Sequence, residues 1–174
     1  MSLGTLARRL LGDQAFRVAG RAYRSIFVDL DGEIGVLAAE IPESAHVLDV
    51  GGGDGEPLDR LLALRPDVRV TTIDVASRVG AWIDALHAAR VERYANRTLA
   101  AHVASGAPPP DVLLLADVVH HIPSAARGGF FASVAELLRR QPRLRVIVKD
   151  VEPGHWRATL GYWSDRYVTG DRDV

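Results

Sequence analysis

The sequence predicts an α/β protein built on a doubly wound, mostly parallel sheet, with a helical cap at its amino end. Three observations carry this. From about residue 44 short apolar runs alternate with amphipathic helical stretches, which is how a parallel sheet covered by helices is written. A glycine cluster, Gly51 to Gly55, separates the first of those runs from the first helical stretch. An acidic residue, Asp74, ends the second run, at the strand end where open α/β sheets hold their ligands.

The elements follow in order. Ala45 to Val50 is the first expected strand. Pro57 then stands early in a helix, where its missing N–H leaves nothing unsatisfied, and Leu58, Leu61 and Leu62 share one face until Pro66. Val68 to Ile73 alternates as a second strand, and Ser77 to Ala89 is expected to be a helix with Val79, Ile83 and Leu86 on a common side. Val91 to Tyr94 is a short third strand, Thr98 to Ala104 a helix, and Pro108 to Pro110 a turn. Asp111 to Ala116 becomes continuously apolar, as a strand buried on both faces does. The helix from Ala126 to Arg140 should bury Phe130, Val134, Leu137 and Leu138, and Leu144 to Val148 is the fifth strand.

Residues 3 to 40 look helical, with breaks near Gly12 and around Asp29 to Gly32. The expected division is therefore a helical cap over residues 1–43 and one α/β domain over 44–174. Beyond Lys149 there is room for one helix or lid, Trp156 to Tyr167, and hardly for another strand. The last strands of a doubly wound sheet are thus expected to be missing. Either the chain is a fragment or a second copy covers the fifth-strand edge as a homodimer, because an open apolar edge invites pairing.

Composition narrows the function. With 174 residues, 48% hydrophobic and 25% charged, the chain can bury one real core and is not disordered. A formal net charge of -1 provides no field to hold a phosphate backbone, so no nucleic-acid partner is expected. The absence of cysteine excludes disulfides, thiolate ligands and a Cys nucleophile. No apolar run approaches the roughly 18 residues a membrane span needs, and the amino end lacks a signal-peptide pattern, so a cytoplasmic protein without membrane contact is expected. Lys149 is the sole lysine among 21 basic residues, a bias that makes arginine counts weak evidence of function.

The chemistry concentrates at strand ends. In Val47-Leu48-Asp49-Val50-Gly51-Gly52-Gly53-Asp54-Gly55 the glycines at 51, 53 and 55 allow a tight turn and close approach of a ligand to bare main chain. Asp74 lies about 20 residues beyond, where a carboxylate can accept both hydroxyls of a ribose. A dinucleotide loop would need glycine at position 56, but the residue is Glu56, whose charge would face a pyrophosphate. The loop therefore points away from a nicotinamide cofactor.

At these residues the sequence resembles the class I S-adenosylmethionine-dependent methyltransferases, over roughly residues 44 to 150. Their first motif, acidic-x-Gly-x-Gly-x-Gly, is matched by Asp49, Gly51, Gly53 and Gly55. The resemblance implies a Rossmann-like methyltransferase fold, with S-adenosylmethionine as cofactor and a small-molecule acceptor methylated at oxygen. It places Asp49 and the glycine loop under the amino-acid end of the cofactor, Asp74 on its ribose, and Val75 and Asn96 beside the adenine. Asp117-Val118-Val119-His120-His121-Ile122-Pro123 resembles the family's fourth motif, which faces the methyl group and the acceptor. Small-molecule O-methyltransferases with a similar D-V-G-G-G loop carry a catalytic histidine at the position of His120, and have Asp where this chain has His121.

Each of these residues also has a plain structural reading. An imidazole can take a proton from an attacking hydroxyl, or it can hydrogen-bond backbone at a strand end. Asp150 can orient a histidine or the acceptor, or complete a charge pair with Lys149. His155, Trp156, Tyr162, Trp163 and Tyr167 form either a pocket wall or helix packing. The scattered His46, His87 and His102 read as structural, without metal-ligand spacing. A non-catalytic cofactor-binding or partner-binding domain remains the alternative to an enzyme.

Overall fold

The computed structural model describes residues 30–150 and the single position Gly12, and Asp31–Asp150 forms one compact unit. The helices expected before residue 29 and over Trp156 to Tyr167 lie outside the described residues. In order, the elements are α1 (Leu30–Glu40), β1 (His46–Val50), α2 (Glu56–Leu64), β2 (Arg69–Ile73), a 3-10 turn (Ala85–Arg90), β3 (Val91–Tyr94), α3 (Leu99–Ala104), β4 (Val112–Ala116), a 3-10 turn (Val119–His121), α4 (Ser124–Arg140) and β5 (Arg145–Lys149).

The five strands form one wholly parallel sheet in the order β3-β2-β1-β4-β5. Alternation along β1 divides the side chains between two layers. Leu48 and Val50 join Ile73, Leu113 and Leu115 in a core closed by Leu99 and Val103 of α3 and Val134 and Leu137 of α4. Asp49 faces the opposite layer, where Ile34 and Leu37 of α1 meet Pro57 and Leu58 of α2. The chain winds outward from β1 in both directions, so the crevice beyond the ends of β1 and β4 is the topological switch point.

Local signals explain most boundaries. Thr98 caps α3, its hydroxyl oxygen accepting from Ala101 N at 3.1 Å. Arg139 and Arg140 complement the carboxyl end of α4. Arg65 satisfies the last carbonyls of α1 and its exit, donating to Ala38 O (2.7 Å), Ile41 O (2.6 Å) and Pro42 O (2.8 Å) while Asp67 holds its other edge.

Two expectations fail. Ser77 to Ala89 is not an α-helix. Gly80 takes a left-handed φ of +63°, and the amides of Gly80 and Trp82 donate to Gly53 O (2.9 Å) and Asp54 O (2.8 Å) instead of to a helical turn. Val79 and Ile83 are buried as expected, but Leu86 is 87% exposed. Leu138 is also exposed, because Val134 and Leu137 already point α4 at the core and the next residue turns about 100° away from it. Among the described residues β5 pairs only with β4, and no helix is long and apolar enough to cross a membrane.

Arg65→Ala should lower unfolding free energy by about 2 kcal/mol, the scale of charged hydrogen bonds to partly buried carbonyls. Urea denaturation measures the loss, and amide exchange should rise first over residues 36–42.

Candidate functional site

The glycine loop begins as an extension of the sheet. The amides of Gly51 and Gly52 donate to Ile73 O at 2.9 and 3.4 Å, which pins the exit of β1 to the end of β2. Gly51 then takes a φ of +80°, and a Cβ there would lie 2.6 Å from Val118 Cγ2, so the loop packs directly against the segment after β4. Gly53, at φ +51°, has no such neighbour: its missing Cβ faces open space and bare main chain. Gly55, also left-handed, leads into α2.

Asp74 holds this loop in shape. Its Oδ2 accepts Gly53 N and its Oδ1 accepts Ala76 N, both at 2.8 Å. A carboxylate offers about four lone-pair sites, so half remain for hydroxyls approaching from the crevice. Val75 beside it is 71% exposed. Asn96, exposed in a left-handed turn at φ +52°, donates its amide to Ala76 O at 2.9 Å, which brings the turn after β3 alongside Val75. Glu56 is buried as the first residue of α2 and accepts from Arg60 at 3.3 Å.

Asp49 is the buried acid of the site, and Thr72 Oγ1 donates to its Oδ2 at 2.8 Å. Burial pushes its pKa up to about 6, the charge of Asp74 adds to the rise, and the Thr72 bond opposes it. Its carboxylate lines a small recess with Gly52, Pro57 and Leu58, roofed by Ile34 and Leu37 of α1.

The segment after β4 supplies the other wall. Asp117 is left-handed, at φ +53°, and its amide donates to Lys149 O at 2.7 Å. The turn delivers His120 to Asp150: the ring Nδ1 makes a close hydrogen bond with Asp150 Oδ1, and the His120 amide donates to Oδ2 at 3.3 Å. An ionised carboxylate only accepts, so in the neutral ring the proton sits on Nδ1 and Nε2 keeps its lone pair. The His121 ring lies against that of His120, with centroids 4.0 Å apart. Lys149 bonds Asp117 Oδ2 at 2.5 Å and Glu33 Oε2 of α1 at 3.2 Å. Burial disfavours its charge, but the two carboxylates outweigh this and its pKa is raised.

The structure thus gathers Asp49, Gly51, Gly53, Gly55, Asp74, Val75 and Asn96 along the ends of β1, β2 and β3, and Asp117, His120, His121 and Asp150 along the ends of β4 and β5. His155 and the aromatic residues from Trp156 to Tyr167 lie outside the described residues. Of the three scattered histidines, His46 Nε2 pairs with Thr71 Oγ1 at 2.9 Å and His87 Nδ1 with Arg90 at 3.0 Å, while His102 is buried in α3. Sequence reasoning missed Thr72 and Glu33. Two threonines inside a buried strand signal a polar partner, and Thr72 could have been found that way; Glu33 carried no signal.

Because the native pKa of Asp49 exceeds its unfolded value, its contribution to stability is present below about pH 4 and lost as pH rises through about 6. Asp49→Asn should therefore raise the melting temperature at pH 7.5, by the equivalent of about 3 kcal/mol, and flatten its decline between pH 4 and 6. Calorimetric scans at several pH values measure both.

No family model and no curated protein sequence matches the chain. Solved structures do. A SAM-dependent methyltransferase from Archaeoglobus fulgidus is similar with a TM-score of 0.57 at 12% identity, over 84% of this chain and 64% of that one. The glycopeptide N-methyltransferase MtfA, complexed with sinefungin, gives 0.51 at 21% identity, over 63% and 49%. A cyclopropane-fatty-acyl-phospholipid synthase-like protein from Lactobacillus casei gives 0.50 at 20%, over 66% and 47%. The chain spans less than two thirds of the length of each. With the strand order β3-β2-β1-β4-β5, it has the Rossmann-like fold of the S-adenosylmethionine-dependent methyltransferases.

Proposed function

We propose that the chain binds S-adenosylmethionine across the ends of β1 and β2 and transfers its methyl group to an oxygen of a small-molecule acceptor. The observation that carries this reading is the His120–Asp150 pair, set at the same sheet end as the glycine loop and in contact with it through Val118 and Gly51.

The residues present fit the cofactor. Gly53 leaves open space where a side chain would stand, Asp74 keeps accepting capacity for two ribose hydroxyls, and exposed Val75 gives an apolar surface for adenine with Asn96 beside it. The carboxylates of Asp49 and Asp74 favour a ligand that carries positive charge, Asp117 being already paired with Lys149. When bound, the cofactor supplies an electrophilic methyl on a sulfonium centre.

The chain's own residues then have distinct tasks. Asp49 and the main chain of Gly51 to Gly53 hold the amino-acid end. Val118 and Val119 border the acceptor side and exclude water from it. His120 Nε2 accepts the proton of the acceptor hydroxyl as its oxygen attacks, while Asp150 keeps the ring in the required tautomer and stabilises the imidazolium that results. His121 packs against that ring at a tilt, and Asp117 shapes the turn on the methyl-facing side.

Calorimetry with S-adenosylhomocysteine and with NAD tests the reading. Binding of the former only is expected, and Asp74→Ala should weaken it by about tenfold or more, as loss of a carboxylate hydrogen bond does. Binding by neither compound overturns the proposal. His120→Ala should leave that affinity within about threefold of wild type while lowering turnover of an accepted substrate by about a hundredfold, the scale of a lost general base.

A further inference from the structure

We infer that Lys149 is a positioning residue: it clamps the Asp117 turn from β5 and thereby holds His120 on Asp150. The inference rests on the proposed function for what His120 does, but its geometry stands independently.

The segment after β4 is tied to the end of β5 at four points. Lys149 O accepts the Asp117 amide and Lys149 Nζ bonds the Asp117 carboxylate. One residue on, Asp150 takes both the amide and the ring of His120. The first pair of bonds meets a need that the second does not. Asp117 lies in the left-handed region, which Asp visits more readily than most residues but which glycine still takes best. The ammonium of Lys149 holds that turn through the carboxylate of the left-handed residue itself.

The ammonium has a second effect. Asp117, Asp150 and Glu33 are carboxylates from three elements converging on these strand ends, and Lys149 bridges two of them. Without it, the carboxylates of Asp117 and Glu33 would face each other unneutralised, and the turn that carries His120 would open. A lysine suits the position because its compact ammonium directs three donors to acceptors in different directions, whereas a guanidinium fork prefers one planar partner. Every other basic position in the sequence is arginine.

The hydrogen bond between His120 Nδ1–H and Asp150 gives a low-field imidazole proton resonance, assigned by its loss in His120→Gln. In Lys149→Met, read without cofactor, that resonance should fall to less than half of its wild-type intensity as the bond loosens and the proton exchanges. Asp117→Gly added to Lys149→Met should restore it, since glycine takes the left-handed turn unaided and removes the repelled carboxylate. Urea denaturation of both variants checks that each stays folded under the conditions of the spectra, so that the resonance reads the bond and not global unfolding. If Lys149→Met does not fold, Lys149→Gln, which keeps two donors but no charge, carries the same expectations. An unchanged resonance in the single variant, or no recovery in the double one, overturns the inference. Calorimetry with S-adenosylhomocysteine on the same wild-type sample separates the two claims: absent binding sinks the functional reading, whatever the resonance does.

Discussion

A parallel sheet that winds outward from its central strand in both directions cannot cover the place where it divides. The helix leaving β1 goes to one layer and the chain leaving β4 turns toward the other, so a cleft opens between their exits. Among the described residues, the glycine loop, Asp74, Asp117, His120 and Asp150 lie on that cleft. The Ile73 carbonyl makes the cleft rigid by taking the amides of Gly51 and Gly52. The glycine loop can then stay open to a ligand without losing its own shape.

Rigidity is built from both sides by different means. On the β1 side it is mostly main chain: Gly53 and Asp54 carbonyls receive amides from the 80–82 segment, and Asp74 caps the loop from below. On the β4 side it is mostly charge: Lys149 bridges Asp117 and Glu33, and Asp150 holds His120. The two sides touch at Gly51 and Val118. A change in one wall is therefore transmitted sterically to the other, since a packed contact of this kind yields only by moving a side chain or the backbone.

Much of this was legible in the residues themselves. The glycine spacing and the acid at the end of the second strand are local signals, because they report what the backbone must do at one point, and the structure places them at one cleft. The pairing of Asp150 with His120 was one of three readings open for that carboxylate; the structure gives Lys149 to Asp117 and Glu33. The 77–89 stretch misled because Val79 and Ile83 keep helical spacing and are both buried, Ile83 against Gly55 of the glycine loop. Burial periodicity alone cannot distinguish a helix from a loop whose amides are spent on another segment. Glu33 was beyond reach for a different reason: an acid on an exposed helix turn acquires meaning only when tertiary packing brings an ammonium from more than a hundred positions away.

The engagement of the single lysine has a practical corollary. Acylating reagents attack an amine only in its neutral form, and Lys149 is doubly ion-paired, with its proton held more tightly than in a free side chain. Mild succinimidyl chemistry at neutral pH should therefore leave Lys149, and the cleft wall it braces, chemically untouched.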